Sequence, residues 1–296
     1  MTITKMAVMA ALLGTATIMS CNKTTDIDET GKLELNVTGL EDLGANYAYE
    51  GWIMVDGTPK SAGIFTVDAS GTPSATSFDL NQEDLDKATA YILTIEPSPD
   101  NDPTPSAVHI LAGEFSGTNA ALTTEDSRAL GTNFTTAAGK YILTTPTDGN
   151  NQDENSGIWF LDNSSGSAMV GLNLPTLPAG WQYEGWAVIG GQPVTTGKFL
   201  SATAADESAP YSGTAASGPA FPGEDFLLNA PSGLTFPTNL ASQKIVISVE
   251  PMPDNSDAPF LLKPLAGDVP AAATDHVVYN LNNNAAATNP TGTASK

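Results

Sequence analysis

The side chains able to do chemistry are few, and most are carboxylates. Four glutamates fall into matched pairs. Glu50 and Glu184 each sit in Tyr-Glu-Gly-Trp, at Tyr49 to Trp52 and Tyr183 to Trp186, while Glu96 and Glu250 each precede a proline, Pro97 and Pro251. Paired carboxylates are what glycoside hydrolysis needs, one as acid and one as base or nucleophile. Occurring twice, they would make two equal active sites. The alternative is a structural carboxylate in each copy, holding backbone donors or a basic side chain. Trp52 and Trp186 divide in the same way, between sugar-stacking platforms and core residues. A separate acidic set follows Thr147: Asp148, Asn150, Gln152 and Glu154 alternate, with Asp153 between. Oxygen ligands at alternate loop positions suit calcium, although the glycine and final glutamate of the full twelve-residue pattern are absent. Calcium is therefore the candidate cofactor. The two histidines, His109 and His276, fall at unmatched positions and form no cluster with the single cysteine, so zinc is not expected. The sequence has no Gly-x-Ser-x-Gly elbow and no phosphate-binding glycine-rich loop. A non-enzymatic protein is the expectation.

The cysteine has its own context. Lys5 is followed by an apolar and small-residue stretch from Met6 to about Ile18. That is short of the roughly 20 apolar residues of a spanning helix, and it fits an export signal over residues 1–20. Ile18-Met19-Ser20-Cys21 resembles the lipobox of bacterial lipoproteins, with Met19 where smaller residues are commoner. The resemblance implies diacylglycerol on the Cys21 sulfur, cleavage before Cys21, and acylation of the new amine by a chain such as palmitate. Residues 21–32 then read as a polar tether. Asn22, rather than an acidic residue, follows the cysteine, which favours the outer membrane, on its periplasmic or surface face.

Composition narrows the partners. Eleven basic against 33 acidic side chains give a formal charge of −22. Such a surface repels nucleic acid, so the partners expected are the membrane, through the lipid, and a protein, peptide or glycan ligand. The 27 glycines and 21 prolines punctuate short runs of threonine, valine, isoleucine and aromatic residues, the signature of an all-β chain.

The elements that position these residues are duplicated. Val37 to Trp52 is matched by Val170 to Trp186, and Gly63 with Phe65 matches Gly197 with Phe199 at an offset of 134. The Glu-Pro strands, with Pro99-Asp100-Asn101 and Leu111-Ala112-Gly113 after them, recur at an offset of 154 as Pro253-Asp254-Asn255 and Leu265-Ala266-Gly267. The second copy therefore carries about 20 extra residues, in the Gly/Ala/Ser/Pro-rich segment 202–226. Two copies of one domain follow. Alternation puts Tyr49, Gly51, Ile53 and Val55 on one face and Glu50, Trp52 and Met54 on the other. Val55 to Thr58 and Ile189 to Gln192 read as hairpin turns. The fold class expected is all-β: two tandem antiparallel β-sandwich-like units, spanning 33–156 and 157–280, with a disordered tail at 281–296.

The duplicated blocks resemble the extracytoplasmic domain of anti-sigma-K-type factors. The matching residues are Tyr49, Trp52, Pro59, Gly63, Phe65, Glu96 and Pro97, and then Tyr183, Trp186, Pro193, Gly197, Phe199, Glu250 and Pro251. The resemblance implies a β-rich envelope module. In that family the domain is joined by a membrane helix to a zinc-binding segment that holds a sigma factor. This sequence shows neither feature, so sigma binding is not carried over. The expected function is a binding, adhesion or scaffolding module of the envelope. The alternative is a carbohydrate- or peptide-binding signalling accessory, using segment 201–225 as its contact surface.

Overall fold

The computed structural model describes residues 29–254 and 256–296. The expected signal segment and Cys21 lie outside them. Among the described residues no helix is long and apolar enough to cross a membrane.

The chain is all-β, and its strands form two large antiparallel sheets. The first runs Thr58–Phe65, Tyr47–Val55, Ala90–Pro97, His109–Ser116, Asn119–Leu122, Thr291–Ser295, Thr30–Thr38, Ser77–Asn81. The second runs Gln192–Phe199, Trp181–Ile189, Lys244–Pro251, Leu265–Asp268, Tyr279–Asn283, Ala138–Leu143, Gly157–Trp159, Gly223–Asp225. Each sheet curls until its edge strands approach. At Gly63 a Cβ would lie 2.3 Å from the Phe78 ring on the opposite edge, so the bare glycine lets the two edges close. The inner faces merge into one continuous core that includes Leu33, Tyr49, Leu93, Tyr141, Tyr183 and Ile247. Trp181 joins the units by donating from Nε1 to the His109 carbonyl at 3.2 Å.

The two sheets are the same object built twice. Tyr49 pairs with Phe65 and Ile95, and Tyr183 pairs with Phe199 and Val249. Both Tyr-Glu-Gly-Trp strands carry a bulge between the glycine and the tryptophan. The stacked ring pairs Tyr49–Phe65 and Tyr183–Phe199 have centroids 5.5 and 5.6 Å apart. Tyr49 donates to the Glu41 carbonyl and Tyr183 to the Pro175 carbonyl, eight residues back in each case. Both expected hairpin turns are present, with positive φ at Asp56, Gly57, Gly190 and Gly191, as the tightest hairpins require.

Three boundaries differ from the sequence expectation. Strand Ala138–Leu143, placed in the first domain by the 33–156 limit, pairs with Tyr279–Asn283 and Gly157–Trp159 in the second sheet. The first sheet begins at Thr30, within the segment read as tether. The tail 281–296, read as disordered, instead forms the end of strand Tyr279–Asn283, a short helix Ala285–Thr288 and strand Thr291–Ser295. The last strand inserts between Thr30–Thr38 and Asn119–Leu122 of the first sheet. Its sequence, TGTAS, has almost no apolar content because backbone ladders on both sides hold it and only Ala294 is fully buried. Hydropathy alone could not find such a strand. The duplicated strands themselves do not pair across units; the two Glu-Pro corners meet there instead, around Pro97, Val108, Pro251 and Met252.

Candidate functional site

The second unit is longer than the first on both sides of strand Gly223–Asp225: 18 residues separate Asp225 from Lys244 where eight separate Asn81 from Ala90, and the larger difference lies before the strand. Eleven residues separate Phe65 from Ser77, whereas 23 separate Phe199 from Gly223. Two buried carboxylates pin the longer segment. Asp225 accepts the Thr147 amide at 2.9 Å and the Trp159 indole N–H at 2.7 Å. Glu224 accepts from the Ser212 hydroxyl and from the Tyr211 amide at 3.2 Å. Burial pushes the Glu224 carboxyl up to about 7 and raises that of Asp225 as well. Sequence reading missed both residues, since they sit in a segment that looks like a flexible loop. The acidic pair Glu224-Asp225 beside Phe226 is the only signal there.

The pinned segment walls a cleft of about 820 Å³ on the outer face of the second sheet. Its floor comes from the hairpin Trp181–Ile189 and Gln192–Phe199, with Glu184, Trp186, Thr195 and Lys198; Glu207 and Tyr211 stand on the inserted side and Asp257 on the Glu-Pro loop. Lys198, Glu184 and Ser248 lie opposite one another on adjacent strands, which brings their side chains together on one face. Trp186 donates to the Ser248 hydroxyl at 2.8 Å, and Ser248 donates in turn to Glu250. Glu184 accepts from the Thr195 hydroxyl. Lys198 Nζ lies 2.8 Å from Asp254 and 4.0 Å from Glu184.

Electrostatics follow from burial. Burial pushes the Glu184 carboxyl up to about 8; Thr195 and Lys198 oppose the rise, while Glu250 and Asp254 add to it. Burial likewise pushes Glu250 up to about 7, against hydrogen bonds from Ser248 and the Phe260 amide. Burial works to lower the Lys198 ammonium, but hydrogen bonding to Asp254 and the field of Glu184 leave it raised. The cleft floor thus sets a lysine held in its charged form 4.0 Å from the Glu184 carboxyl, which is inclined to be neutral.

Each repeated residue has an assignable job. Glu50 accepts from Ser61 as Glu184 does from Thr195, eleven residues on in both copies. Glu96 accepts the Ser106 amide and Glu250 the Phe260 amide, both at 2.9 Å and ten residues on. Trp52 donates to Thr94 at 2.9 Å, the counterpart of Trp186 with Ser248. Both tryptophans are 2% exposed and lie on the outer face of their sheets, where Trp52 is covered by Ile92, Ala112 and Ala129. Such burial leaves no ring face open for stacking. Pro97 and Pro251 end their strands, as expected of a residue without a donor. Asp100 and Asp254 close short turns by accepting the amides of Asp102 and Ser256 at 2.8 and 2.9 Å.

In the 148–154 loop the acidic oxygens are turned onto the loop's own backbone. Asp148 accepts the amides of Asn150, Asn151 and Gln152 at 2.9 to 3.2 Å. Asn150 accepts the Gln152 amide, and Glu154 accepts from the Thr144 hydroxyl and the Thr145 amide. Among the described residues no three His, Cys, Asp or Glu side chains are grouped so as to hold a metal ion. His109 contacts the Arg128 carbonyl at 2.7 Å and His276 the Thr144 hydroxyl at 3.3 Å, so the structure brings neither into the cleft.

Neither the comparison with curated proteins nor that with solved structures gives a match. The family model described as anti-sigma-K factor rskA, C-terminal, matches residues 6–109, about a third of the chain. That span holds Tyr49, Trp52, Gly63, Phe65, Glu96 and Pro97, the residues whose bulge, ring stack and buried carboxylates have just been described. The first unit is therefore similar to the C-terminal domain of anti-sigma-K factors, and the second repeats its pattern.

Proposed function

We propose that the chain is a non-enzymatic binding module of the cell envelope, lipid-anchored through Cys21, whose ligand site is the cleft of the second unit. The observation that carries this reading is the asymmetry of the repeat. A segment of 23 residues, fixed by the buried Glu224 and Asp225, encloses a cleft on one copy, whereas the equivalent connection in the first copy is 11 residues long. Structural duty for the repeated carboxylates argues against catalysis, since Glu50 and Glu184 make equivalent bonds and only the latter borders the cleft. The cleft sets neutral and charged hydrogen-bonding groups among the apolar surfaces of Pro193, Val194, Tyr211 and Pro231, a mixture that suits a peptide or glycan. A signalling accessory role is the second reading, favoured by the family match over 6–109.

Two experiments test the proposal. Purified protein is screened against glycan and peptide arrays, alongside Glu207→Lys at the exposed cleft rim. A ligand retained by wild type and weakened at least tenfold by Glu207→Lys supports the cleft; no ligand in either class removes the binding reading. Separately, Cys21→Ser should abolish palmitate labelling and membrane association, and unchanged fractionation would remove the anchor.

A further inference from the structure

The first sheet is incomplete without the far end of the chain. In the second unit, the strand beside Gly157–Trp159 is Ala138–Leu143, which lies just before it in sequence. The corresponding place in the first unit, beside Thr30–Thr38, is filled by Thr291–Ser295. Without it, Thr30–Thr38 and Asn119–Leu122 would both present open edges backed by Leu33, Leu35, Val37 and Leu122. Open edges of that kind take up any strand that fits.

The occupant is held in an exchangeable way. It pairs with five residues of Thr30–Thr38 and four of Asn119–Leu122. Side-chain anchoring comes from buried Ala294, the Ser295 bond to Asn119 at 2.8 Å, a Thr291–Thr38 hydroxyl contact at 3.5 Å, and Lys296, whose Nζ bonds the Leu85 and Ala88 carbonyls at 2.7 Å and lies 4.8 Å from the centre of the Phe115 ring. At Gly292 a Cβ would lie 2.6 Å from the Asn36 carbonyl oxygen, so the slot selects small residues. Residues 289–296, NPTGTASK, carry no acidic side chain and one lysine in a chain of net charge −22, so this segment is not repelled by another copy as the rest of the surface is. Melting the four-residue helix Ala285–Thr288 would free residues 284–290, which reach about 23 Å when extended.

We propose that the first unit is a strand-acceptor site whose partner is the C-terminal strand of a second copy of this chain, exchanged for its own. Every backbone bond lost in one copy is regained in the other, as in domain swapping, and recognition is by strand addition. Donor and acceptor are different surfaces, so the contact either closes in a reciprocal dimer or propagates head to tail. This inference does not depend on the cleft.

The test uses full-length chains carrying Cys21→Ser. One bears Asn36→Cys and the other Thr293→Cys; these positions are register partners and exposed. The two are mixed, incubated and treated with a short thiol cross-linker. The double variant in a single chain confirms that the pair can link, and Glu34→Cys with Ser295→Cys provides a second register pair. Exchange gives a product containing one copy of each chain, its fraction rising roughly in proportion to concentration below the millimolar effective concentration typical of a short linker. The proposal is overturned if a pair links within one chain but neither mixture gives the two-chain product at any concentration. A solution monomeric by light scattering up to millimolar protein overturns it equally.

Discussion

Two units with one strand order differ in three places. In the first, Ile64 faces Glu50 across the hairpin; in the second, Lys198 faces Glu184. Ile64 is left 56% exposed, whereas Lys198 reaches Asp254, the counterpart of Asp100. The first unit borrows its sixth strand from residue 291 onward, while the second takes Ala138–Leu143 from just upstream. The second supports a pinned insertion and a cleft. The shared residues therefore account for the architecture, and the unshared ones localise what distinguishes the copies.

The largest effect expected is from removing residues 285–296. The first unit loses a strand and the second loses none, so the thermal transition of the first unit should disappear while the second still melts cooperatively. Calorimetry of the full-length and shortened chains checks this, and simultaneous loss of both transitions would mean that the shared core makes them one cooperative unit.

Next come the tryptophans. Trp52→Ala and Trp186→Ala should each cost roughly 3–5 kcal/mol, read by urea denaturation, since each also removes the indole N–H that a buried hydroxyl, on Thr94 or Ser248, accepts. Similar losses sharpen the equivalence of the copies. A loss below about 0.5 kcal/mol for one of them, within the range of an ordinary surface substitution, would break it.

A smaller difference lies in pH dependence. Glu184 and Glu250, with carboxyls pushed up from 4.5 to about 8 and about 7, hold their protons more tightly folded than unfolded. Their stabilisation is full below pH 4.5 and is lost as pH rises through the folded values, levelling off above about 8. Glu184→Gln should flatten the stability profile between neutral pH and 8. Glu50 is also raised by burial, but it has no pinned insertion over it, so the flattening by Glu50→Gln should be smaller. Equal slopes in the two variants would remove this distinction.

The smallest effect concerns the 148–154 loop. Asp148→Ala releases three backbone amides and should cost about 1 kcal/mol. Because those bonds are internal to the loop, the cost should be the same with and without millimolar calcium. A calcium-dependent cost in thermal melts would restore the loop as a cation site.

What the sequence made legible is whatever repeats. Tyr-Glu-Gly-Trp, Gly-x-Phe and Glu-Pro located two hairpins and their third strands, because side-chain alternation and matched spacing survive in linear form. The turns at Asp100 and Asp254 are local in the same sense, each an Asp side chain accepting the amide two residues on. Thr30–Thr38 alternates clearly, with Leu33, Leu35 and Val37 inward, yet its N-terminal end merges with polar residues that read as tether. Thr291–Ser295 was invisible because its stability comes from neighbours more than 160 residues away. The cleft was half legible: an insertion shows in the change of offset, but that Glu224 and Asp225 are its buried pins depends on Thr147, Ser212 and Trp159, which only the fold assembles.

The position of Thr291–Ser295 also sets an order of events. A polypeptide emerges from the ribosome, and from any export channel, with its N-terminal end leading, and domains ordinarily fold in that order. Here the leading unit waits. Residues 30–122 can collapse and pair locally, but their sheet closes only when residues 291–296 are free, after the strands of the second unit have appeared. The later-made unit is the first able to reach its final form, and a chain stalled or clipped near its end carries its defect at the opposite terminus.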